Sequence, residues 1–249
     1  MEITSAHNDT FRMLASLTTA KGLRQEKLFL LGGERLVAEF LRAPHLRVAY
    51  QILGPGMQPL PLPDQADPAK LVTLPTALFD EIDVLGTHAP ILALEQPEIG
   101  TLDAAALQTH VPQGIEIVIP VGDPGNLGAL LRSCEAFGVK RVILTQEAAH
   151  PFLPKSVKAS AGSVLRLPML RGPALRDFPP SCIALDSDGM PLSTFKWPSS
   201  GLLVVGEEGA GLGDGKRFTT RLSIPTSGVE SLNAVVAASI ALAHKSGAI

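Results

Sequence analysis

The sequence predicts an α/β protein whose C-terminal half forms a parallel-sheet domain, with a smaller α/β unit before it. Short apolar strands alternate with helical segments from about residue 115 onward, a pattern typical of a parallel sheet covered by helices. The chain closes with small apolar residues at helical spacing, beginning near Val235. We therefore expect a first domain at residues 1–97, a linker at 98–112 and the sheet domain at 113–249.

The first domain is expected to contain a small sheet. Its apolar segments are short, and Gly32 and Gly33 form a turn between the first of them and a helix that follows. The stretch GPGMQPLPLPDQADP holds too many prolines for a regular element and is predicted to be a loop. The segments predicted as strands, or as a strand followed by a helix, are 28–31, 46–53, 70–85 and 89–94.

The second half has clearer alternation. A helix is predicted from Gly128 to Phe137, with Gly138 ending it, and residues 155–162 are also predicted to be helical. Residues 97–114 are interpreted as a polar connector with at most one helical turn. The predicted strands are 115–121, 141–144, 183–185, 202–205 and 222–224.

Composition excludes several classes of protein. Apolar residues make up 45% of the chain and charged residues 18%, which describes a folded globular protein rather than a disordered one. No apolar run is long enough to span a membrane, and no basic region followed by an apolar stretch marks a secretory signal. Cys134 and Cys182 lie far apart without metal-ligand spacing, so we expect reduced thiols, no metal site and a cytoplasmic protein. The net charge of −3 argues against nucleic-acid binding by bulk charge, although a local basic patch stays possible.

Polar motifs follow three of the predicted strands. DPGN comes after the first strand and leads toward Arg132, GEEGAGL follows a later strand, and a loop carrying Ser231 and Asn233 precedes the closing helix. Ligands of parallel α/β sheets bind beyond the carboxyl ends of the strands. Each motif also has an ordinary structural explanation, since Ser231 or Asn233 could be a helix N-cap and Arg132 a solvated side chain.

The motifs together are more specific than any one of them. The stretches PGNLGALLRSCEAFGV, KSVKASAGS, VVGEEGAGL and IPTSGVESLNAVVAASIALA occur in this order. They resemble the SpoU or TrmH branch of the SPOUT RNA methyltransferases, over about residues 115–244. The segment GLRQEKLFLLGGERLVAEFL resembles the ribosomal-protein-like RNA-binding domain of many such enzymes. This resemblance implies a trefoil knot, S-adenosylmethionine as cofactor, a homodimer, and methylation of a ribose 2′-hydroxyl in rRNA or tRNA.

The resemblance also assigns roles to individual residues. The resemblance makes Arg132 the catalytic arginine. Because a guanidinium is costly to deprotonate, we expect Arg132 to bind a phosphate and stabilise developing oxyanion charge, with the proton lost to a phosphate oxygen or to water. Glu207 is expected to hold Asn126 or Arg132, and Asn233 to orient the ribose or the cofactor. The catalytic set implied is Asn126, Arg132, Glu207, Ser231 and Asn233. The cofactor set is Leu203, Val205, Gly206, Gly209, Ile224, Leu232, Asn233 and Ala234. The RNA-binding set is Arg24, Lys27, Arg35, Lys155 and Lys158, each of which could equally be a solvated surface charge.

Two other classes of protein fit the sequence less well. A non-catalytic RNA-binding relative of the same fold would be expected to lack Arg132 or Asn233, and both are present. An ordinary doubly wound nucleotide-binding enzyme would have a glycine-rich turn after its first strand, where this chain has DPGN.

Overall fold

The computed structural model describes the chain except for residues 43–44, 63, 66–67, 208–210 and 214–216. Two compact units make up the protein. Unit 1 comprises Met1–Glu98 and His150–Gly162, and unit 2 comprises Ile99–Ala149 and Ser163–Ile249.

The elements have the following bounds. The helices are α1 (Asp9–Ser16), α2 (Ala20–Glu26), α3 (Glu34–Arg42), α4 (Thr76–Ile82), α5 (Ala104–Gln108), α6 (Pro124–Ala136), α7 (Pro154–Ala159) and α8 (Ala234–Ser246). The strands are β1 (Leu28–Leu31), β2 (Val48–Leu53), β3 (Lys70–Thr73), β4 (Ile91–Glu95), β5 (Gly100–Thr101), β6 (Ile115–Ile119), β7 (Val142–Leu144), β8 (Met169–Arg171), β9 (Ile183–Pro191), β10 (Gly201–Val204) and β11 (Thr220–Ser223).

Unit 1 contains a four-stranded sheet in the order β1-β4-β2-β3. β4 runs antiparallel to both of its neighbours, whereas β2 and β3 are parallel. The predicted strands and the predicted strand–helix pair of this region are therefore confirmed. Helices α1 and α2 were not predicted, although Asn8 and Thr19 cap them with side-chain hydrogen bonds in the usual way.

One segment from the second half of the chain belongs to unit 1. Residues His150–Gly162, which include α7, cluster with the N-terminal sheet, and α7 contacts β1. The Phe29 and Phe152 rings stack with their centroids 4.8 Å apart, and both side chains are fully buried. The predicted domain at 113–249 therefore differs from the observed units. Burying the Phe152 ring against β1 accounts for the difference, because an aromatic side chain removes a large apolar area from water.

The predicted linker at 98–112 is wrong as a description of this part of the chain. β5 pairs with β8, and the Leu102 N–H donates to the Arg171 carbonyl at 2.8 Å. Leu102 and Leu107 also join the buried core of unit 2. The segment is a packed edge of the second sheet. Its two-residue strand and single short helix give too little periodicity for recognition from sequence.

Unit 2 is built on a seven-stranded sheet in the order β11-β9-β10-β6-β7-β8-β5. Every pairing in it is parallel, which confirms the predicted fold class. β6 lies in the middle, and all of its residues are buried. Since helices cover both faces of a parallel sheet, such a central strand is buried along its whole length, and its residues are apolar except for Glu116.

The observed bounds of one helix and one strand differ from the predicted bounds. α6 begins at Pro124 rather than at Gly128, because the Asp123 side chain accepts a hydrogen bond from the Asn126 N–H and Pro124 fits the first helical position. β9 continues to Pro191, well past the predicted end at 185. Its residues 185–189 bulge out, since Arg221 and Leu222 of β11 pair directly with Ala184 and Met190.

A buried carboxylate holds the amino end of β6. Glu116 has no exposed surface. Its Oε2 lies 2.7 Å from His110 Nε2, and its Oε1 accepts hydrogen bonds from the Gln113 N–H at 2.9 Å and from Arg141 at 3.3 Å. Because a buried charge is tolerated only when paired, these three contacts tie the chain after α5 and the start of β7 to the central strand.

We expect Glu116→Ala to lower the free energy of unfolding of unit 2 by about 3–5 kcal/mol, since it leaves Arg141 and His110 without their buried partner. Denaturant titration followed by circular dichroism measures the change. The matched control is Glu230→Ala, at an exposed position of unit 2, with an expected effect within about 0.5 kcal/mol. Equal effects of the two substitutions would contradict a structural role for the Glu116 cluster.

Candidate active site

The register of the central strands brings several chain segments to one edge of the sheet. Val204 of β10 lies opposite Val118 of β6 on one side and Ala184 of β9 on the other. The strands are parallel, so the segments that follow β6 and β10 leave the sheet at the same edge as the bulge that begins after Ala184 of β9. β11 is parallel to β9, and its continuation toward α8 leaves in the same direction. The predicted catalytic and cofactor residues of unit 2 lie in or next to these segments.

The segment after β6 forms the start of α6. The Asn126 N–H donates to Asp123 Oδ1 at 2.8 Å, and the Asn126 side chain is partly buried. Arg132 lies farther along α6 on its exposed side. The opposite face is buried through Leu130, Leu131 and Cys134. The helix thus presents Arg132 to solvent from a rigid, packed base.

The segment after β10 makes a tight loop. Glu207 and Gly211 exchange backbone hydrogen bonds of 2.5 Å and 2.9 Å, and a Cβ on Gly206 would lie 3.0 Å from the Gly211 carbonyl carbon. Gly206 therefore allows a close approach of two backbone stretches. Gly209 lies outside the described residues. The Glu207 side chain makes no hydrogen bond to another described residue, so the role expected for it toward Asn126 or Arg132 stays a prediction.

The loop after β11 ends in a helix cap. Asn233 Oδ1 accepts hydrogen bonds from the Val235 N–H at 2.9 Å and the Val236 N–H at 3.4 Å, so Asn233 is the N-cap of α8. Ser231 is exposed and does not cap this helix. The structural explanation given for Asn233, that it is a helix N-cap, is thus correct for its side-chain oxygen. The amide nitrogen of the same side chain is not used by the cap.

Helices α6 and α8 pack on each other and share a polar contact. The hydroxyl oxygens of Ser133 and Ser239 are 2.8 Å apart, and Ser239 also hydrogen-bonds to the Val235 carbonyl of its own helix. This contact links the helix that carries Arg132 to the helix capped by Asn233. It fixes the spacing of two predicted catalytic elements.

Several backbone donors at this edge are free. Within the described part of the chain, the N–H groups of Gly206, Ile224 and Leu232 donate to no other residue. All three residues are only partly exposed, and Val205 beside them is buried. Unpaired backbone donors next to an apolar strand end suit a ligand with hydrogen-bond acceptors, such as a purine ring or a carboxylate.

The bulge of β9 was not predicted from the sequence. Asp186 lies in it and forms an ion pair with Arg221 at 3.0 Å. A Cβ on Gly189 would be 2.5 Å from the Arg221 carbonyl carbon, so only glycine fits there. The run DSDG at residues 186–189 is the signal that could have indicated a turn. The bulge follows Ala184 and therefore begins at the same edge as the other three segments.

The predicted RNA-binding residues all belong to unit 1. Lys155 and Lys158 come from the second half of the sequence, yet the His150–Gly162 segment that carries them packs with the N-terminal sheet. Each side chain of the set is exposed; the set is Arg24, Lys27, Arg35, Lys155 and Lys158. The structure thus collects these cations in one compact unit.

Other chemistries find little support among the described residues. Burial raises the pKa of the Cys134 thiol far above its ordinary value, and it raises that of Cys182 to about 11 although Arg217 opposes the shift. Neither thiol is therefore a nucleophile at neutral pH. The described ranges contain no cluster of three or more His, Cys, Asp or Glu side chains that could hold a metal ion. They also contain no helix of sufficient length and hydropathy to cross a membrane.

Comparison with known proteins identifies the family. The model of the SpoU rRNA Methylase family matches residues 116–243, which include α6, the Gly206 loop and Asn233. The chain belongs to this family. The resemblance noted in its motifs is thereby confirmed.

Two relatives show how far the similarity extends. The chain is 28% identical over 261 residues to the 23S rRNA (guanosine(2553)-2′-O)-methyltransferase RlmP of Bacillus subtilis, covering 99% of each protein. It is 38% identical over 247 residues to a protein of Syntrophobacter fumaroxidans named ribosomal RNA small subunit methyltransferase G 2. That alignment covers 97% of this chain but only 48% of the relative, so the chain spans about half of that protein's length.

Solved structures confirm the fold over nearly the whole chain. The SpoU methyltransferase AviRb of Streptomyces viridochromogenes, crystallised in complex with the cofactor AdoMet, matches with a TM-score of 0.78 at 22% identity. The match covers 97% of this chain and 98% of AviRb. At this level of identity the comparison establishes a common architecture for the two proteins.

Proposed function

We propose that this protein transfers a methyl group from S-adenosylmethionine to a ribose 2′-hydroxyl of RNA, with rRNA as the substrate and tRNA as the second candidate. The observation that carries the proposal is the shared sheet edge at which the chain leaves β6 for α6, β10 for the turn at Gly206, and β11 for the segment that leads to α8. The name of the Bacillus relative, which aligns over its full length, supports the 2′-O position and rRNA. The two relatives' names refer to different ribosomal subunits, so the target nucleotide is left open.

The free backbone donors fit the proposed cofactor. The N–H groups of Gly206, Ile224 and Leu232 would hold the acceptors of its adenine, ribose or carboxylate, with apolar contacts from Val205 and Leu203. The bound cofactor supplies an electrophilic methyl group. Gly209, Ala234 and Asn233 complete the proposed binding set.

Arg132 is proposed to act on the RNA. A guanidinium stays protonated in water, so it is a poor proton acceptor and a good partner for phosphate oxygens. From its exposed position on α6 it can bind a backbone phosphate and stabilise the negative charge that develops on the attacking ribose oxygen. The proton leaves to a phosphate oxygen or to water.

Asn233 is proposed to orient the substrate. Because its Oδ1 caps α8, only its Nδ2 group is available as a donor to the ribose or the cofactor. Asn126, Ser231 and Glu207 complete the proposed catalytic set. Together these groups position the reactants, and alignment of this kind can supply about 7–11 kcal/mol of a reaction barrier.

The activity can be measured with the full chain, tritiated S-adenosylmethionine and total RNA from cells that lack the gene. A 2′-O-methyl group blocks alkaline cleavage of the adjacent phosphodiester, so we expect the label in alkali-resistant dinucleotides of rRNA. Label in mononucleotides would indicate base methylation and contradict the ribose assignment. Absence of label from every RNA would favour the alternative of a non-catalytic RNA-binding relative.

Asn233 allows the cap and the catalytic role to be separated. Aspartate caps helices as well as asparagine does but has no N–H₂ group. We therefore expect Asn233→Asp to keep wild-type stability while losing at least about tenfold in methylation rate, the cost of about one hydrogen bond. The matched variant Asn233→Ala should lose activity and also about 1 kcal/mol of stability. An active Asn233→Asp protein would rule out the proposed donor role.

The exposed cations of unit 1 are proposed to bind the RNA backbone. Replacing Arg24, Lys27, Arg35, Lys155 and Lys158 together by alanine should weaken RNA binding. The slope of log affinity against log salt should fall by about 0.7–0.9 for each phosphate contact removed. Filter binding across a salt series measures both quantities. The control replaces Lys140, Arg176 and Lys196, exposed cations of unit 2, and is expected to change the slope less per residue. An unchanged slope in the first variant would count against an RNA-facing role.

The homodimer implied by the family is also proposed, with Arg132 of one chain serving the site of its partner. Small residues on α8 and the 46% exposure of Val236 are compatible with a further helix contact there. An Arg132→Ala chain mixed with an Asn233→Ala chain tests the shared site. If the two residues come from different chains, the heterodimer keeps one intact site and activity partly returns. A verified but inactive heterodimer would exclude this arrangement.

The trefoil knot and the cytoplasmic location stay predictions.

A further inference from the structure

A three-residue cluster at the end of α6 surrounds one carboxylate. Arg166 donates to both oxygens of Glu135, through Nε to Oε1 at 2.6 Å and through NH2 to Oε2 at 2.9 Å. The Ser163 hydroxyl donates to Oε2 at 2.6 Å. These hydrogen bonds, those from Arg166 first, lower the pKa of Glu135 although partial burial opposes the shift. Glu135, Ser163 and Arg166 are called the Glu135 cluster below.

The position of Glu135 on α6 places its carboxylate near the proposed catalytic residue Arg132. Glu135 follows Arg132 by three residues, and side chains at this spacing are neighbours on a helix surface. A glutamate there would be expected to form an ion pair with the arginine. In the described part of the chain Arg132 makes no hydrogen bond or ion pair, while both oxygens of Glu135 are occupied by the cluster.

We propose that Arg166 and Ser163 hold the Glu135 carboxylate away from Arg132, and so keep the Arg132 guanidinium free for the RNA. Arg166 is then a positioning residue that acts through Glu135. The inference rests on the proposed role of Arg132 in binding a phosphate and stabilising a developing oxyanion. In this proposal the Glu135 carboxylate and an RNA phosphate compete for the Arg132 guanidinium. A guanidinium paired with a neighbouring carboxylate is less available to phosphate.

Geometry explains why Glu135 prefers Arg166. The two parallel N–H···O bonds from a planar guanidinium match a carboxylate better than one contact along a helix does, and the Ser163 hydroxyl adds a third bond. The Glu135 side chain is 34% exposed and that of Arg166 42%, so solvent weakens the pair. The effect expected on activity is accordingly moderate.

A double-substitution series tests the competition. Arg166→Ala frees Glu135 to pair with Arg132, and we expect the methylation rate to fall about twofold to fivefold, the range open to an exposed ion pair. Glu135→Ala removes the competing carboxylate and should keep more activity than Arg166→Ala. In the double variant, adding Glu135→Ala should restore the activity that Arg166→Ala lost. Arg176→Ala, which removes an 85% exposed cation, is the control for charge.

A purely structural cluster predicts the opposite order. If Glu135 and Arg166 serve only to join α6 to the turn at residues 163–166, each single substitution removes the same contact and the double variant is no better than Arg166→Ala. That outcome would overturn the proposal. Arg166→Lys keeps the charge and one hydrogen bond, and should show an intermediate defect that Glu135→Ala again relieves. It provides the same comparison where loss of Arg166 impairs folding.

A second measurement does not depend on methylation. Phenylglyoxal modifies free guanidinium groups, and peptide mass spectrometry gives its rate at Arg132. We expect this rate to fall about twofold or more in Arg166→Ala and to recover in the double variant, in line with a new ion pair. An unchanged rate at Arg132 would overturn the inference. A wild-type protein that methylates no RNA but follows this pattern would refute the proposed function and leave the competition established.

Discussion

Parallel pairing of β10 with β6 on one side and β9 on the other is the constraint on which the candidate site depends. Val204, Val118 and Ala184 lie side by side in this ladder, so the exits from β6 and β10 and the bulge of β9 lie at one edge. None of the three exits would form a site alone, since each is a short glycine-containing or capped turn. Their common edge brings free backbone donors, a helix start and a tight loop together.

Helix α6 positions the proposed catalytic residue Arg132 relative to this sheet edge. Its start is fixed by Asp123 and Pro124, and one face is buried. Its side is tied to α8 through Ser133 and Ser239, and its end to the turn after α7 through Glu135. Arg132 thus projects from a helix held at both ends, while its own side chain is exposed. A long cation on a rigid base suits the recognition of a flexible phosphate backbone.

The His150–Gly162 segment shows how unit 1 obtains part of its charge. The chain leaves unit 2 after Ala149, packs the Phe152 ring on Phe29, and returns at Ser163. Lys155 and Lys158 are thereby added to a unit that also exposes Arg24, Lys27 and Arg35. Ser163, where the chain re-enters unit 2, also belongs to the Glu135 cluster. The turn that follows the His150–Gly162 segment therefore contacts α6.

The sequence by itself determined what depends on near neighbours in the chain. Apolar runs located most strands, Gly138 and the polar residues before Val235 marked helix ends, and the ordered motifs identified the family. Tertiary structure alone decided the strand order, the incorporation of residues 98–112 into the sheet and the partner of Phe152. It also decided that Glu135 binds Arg166 rather than Arg132. Each of these depends on contacts between residues distant in sequence, whereas periodicity and capping patterns record only interactions within a few residues.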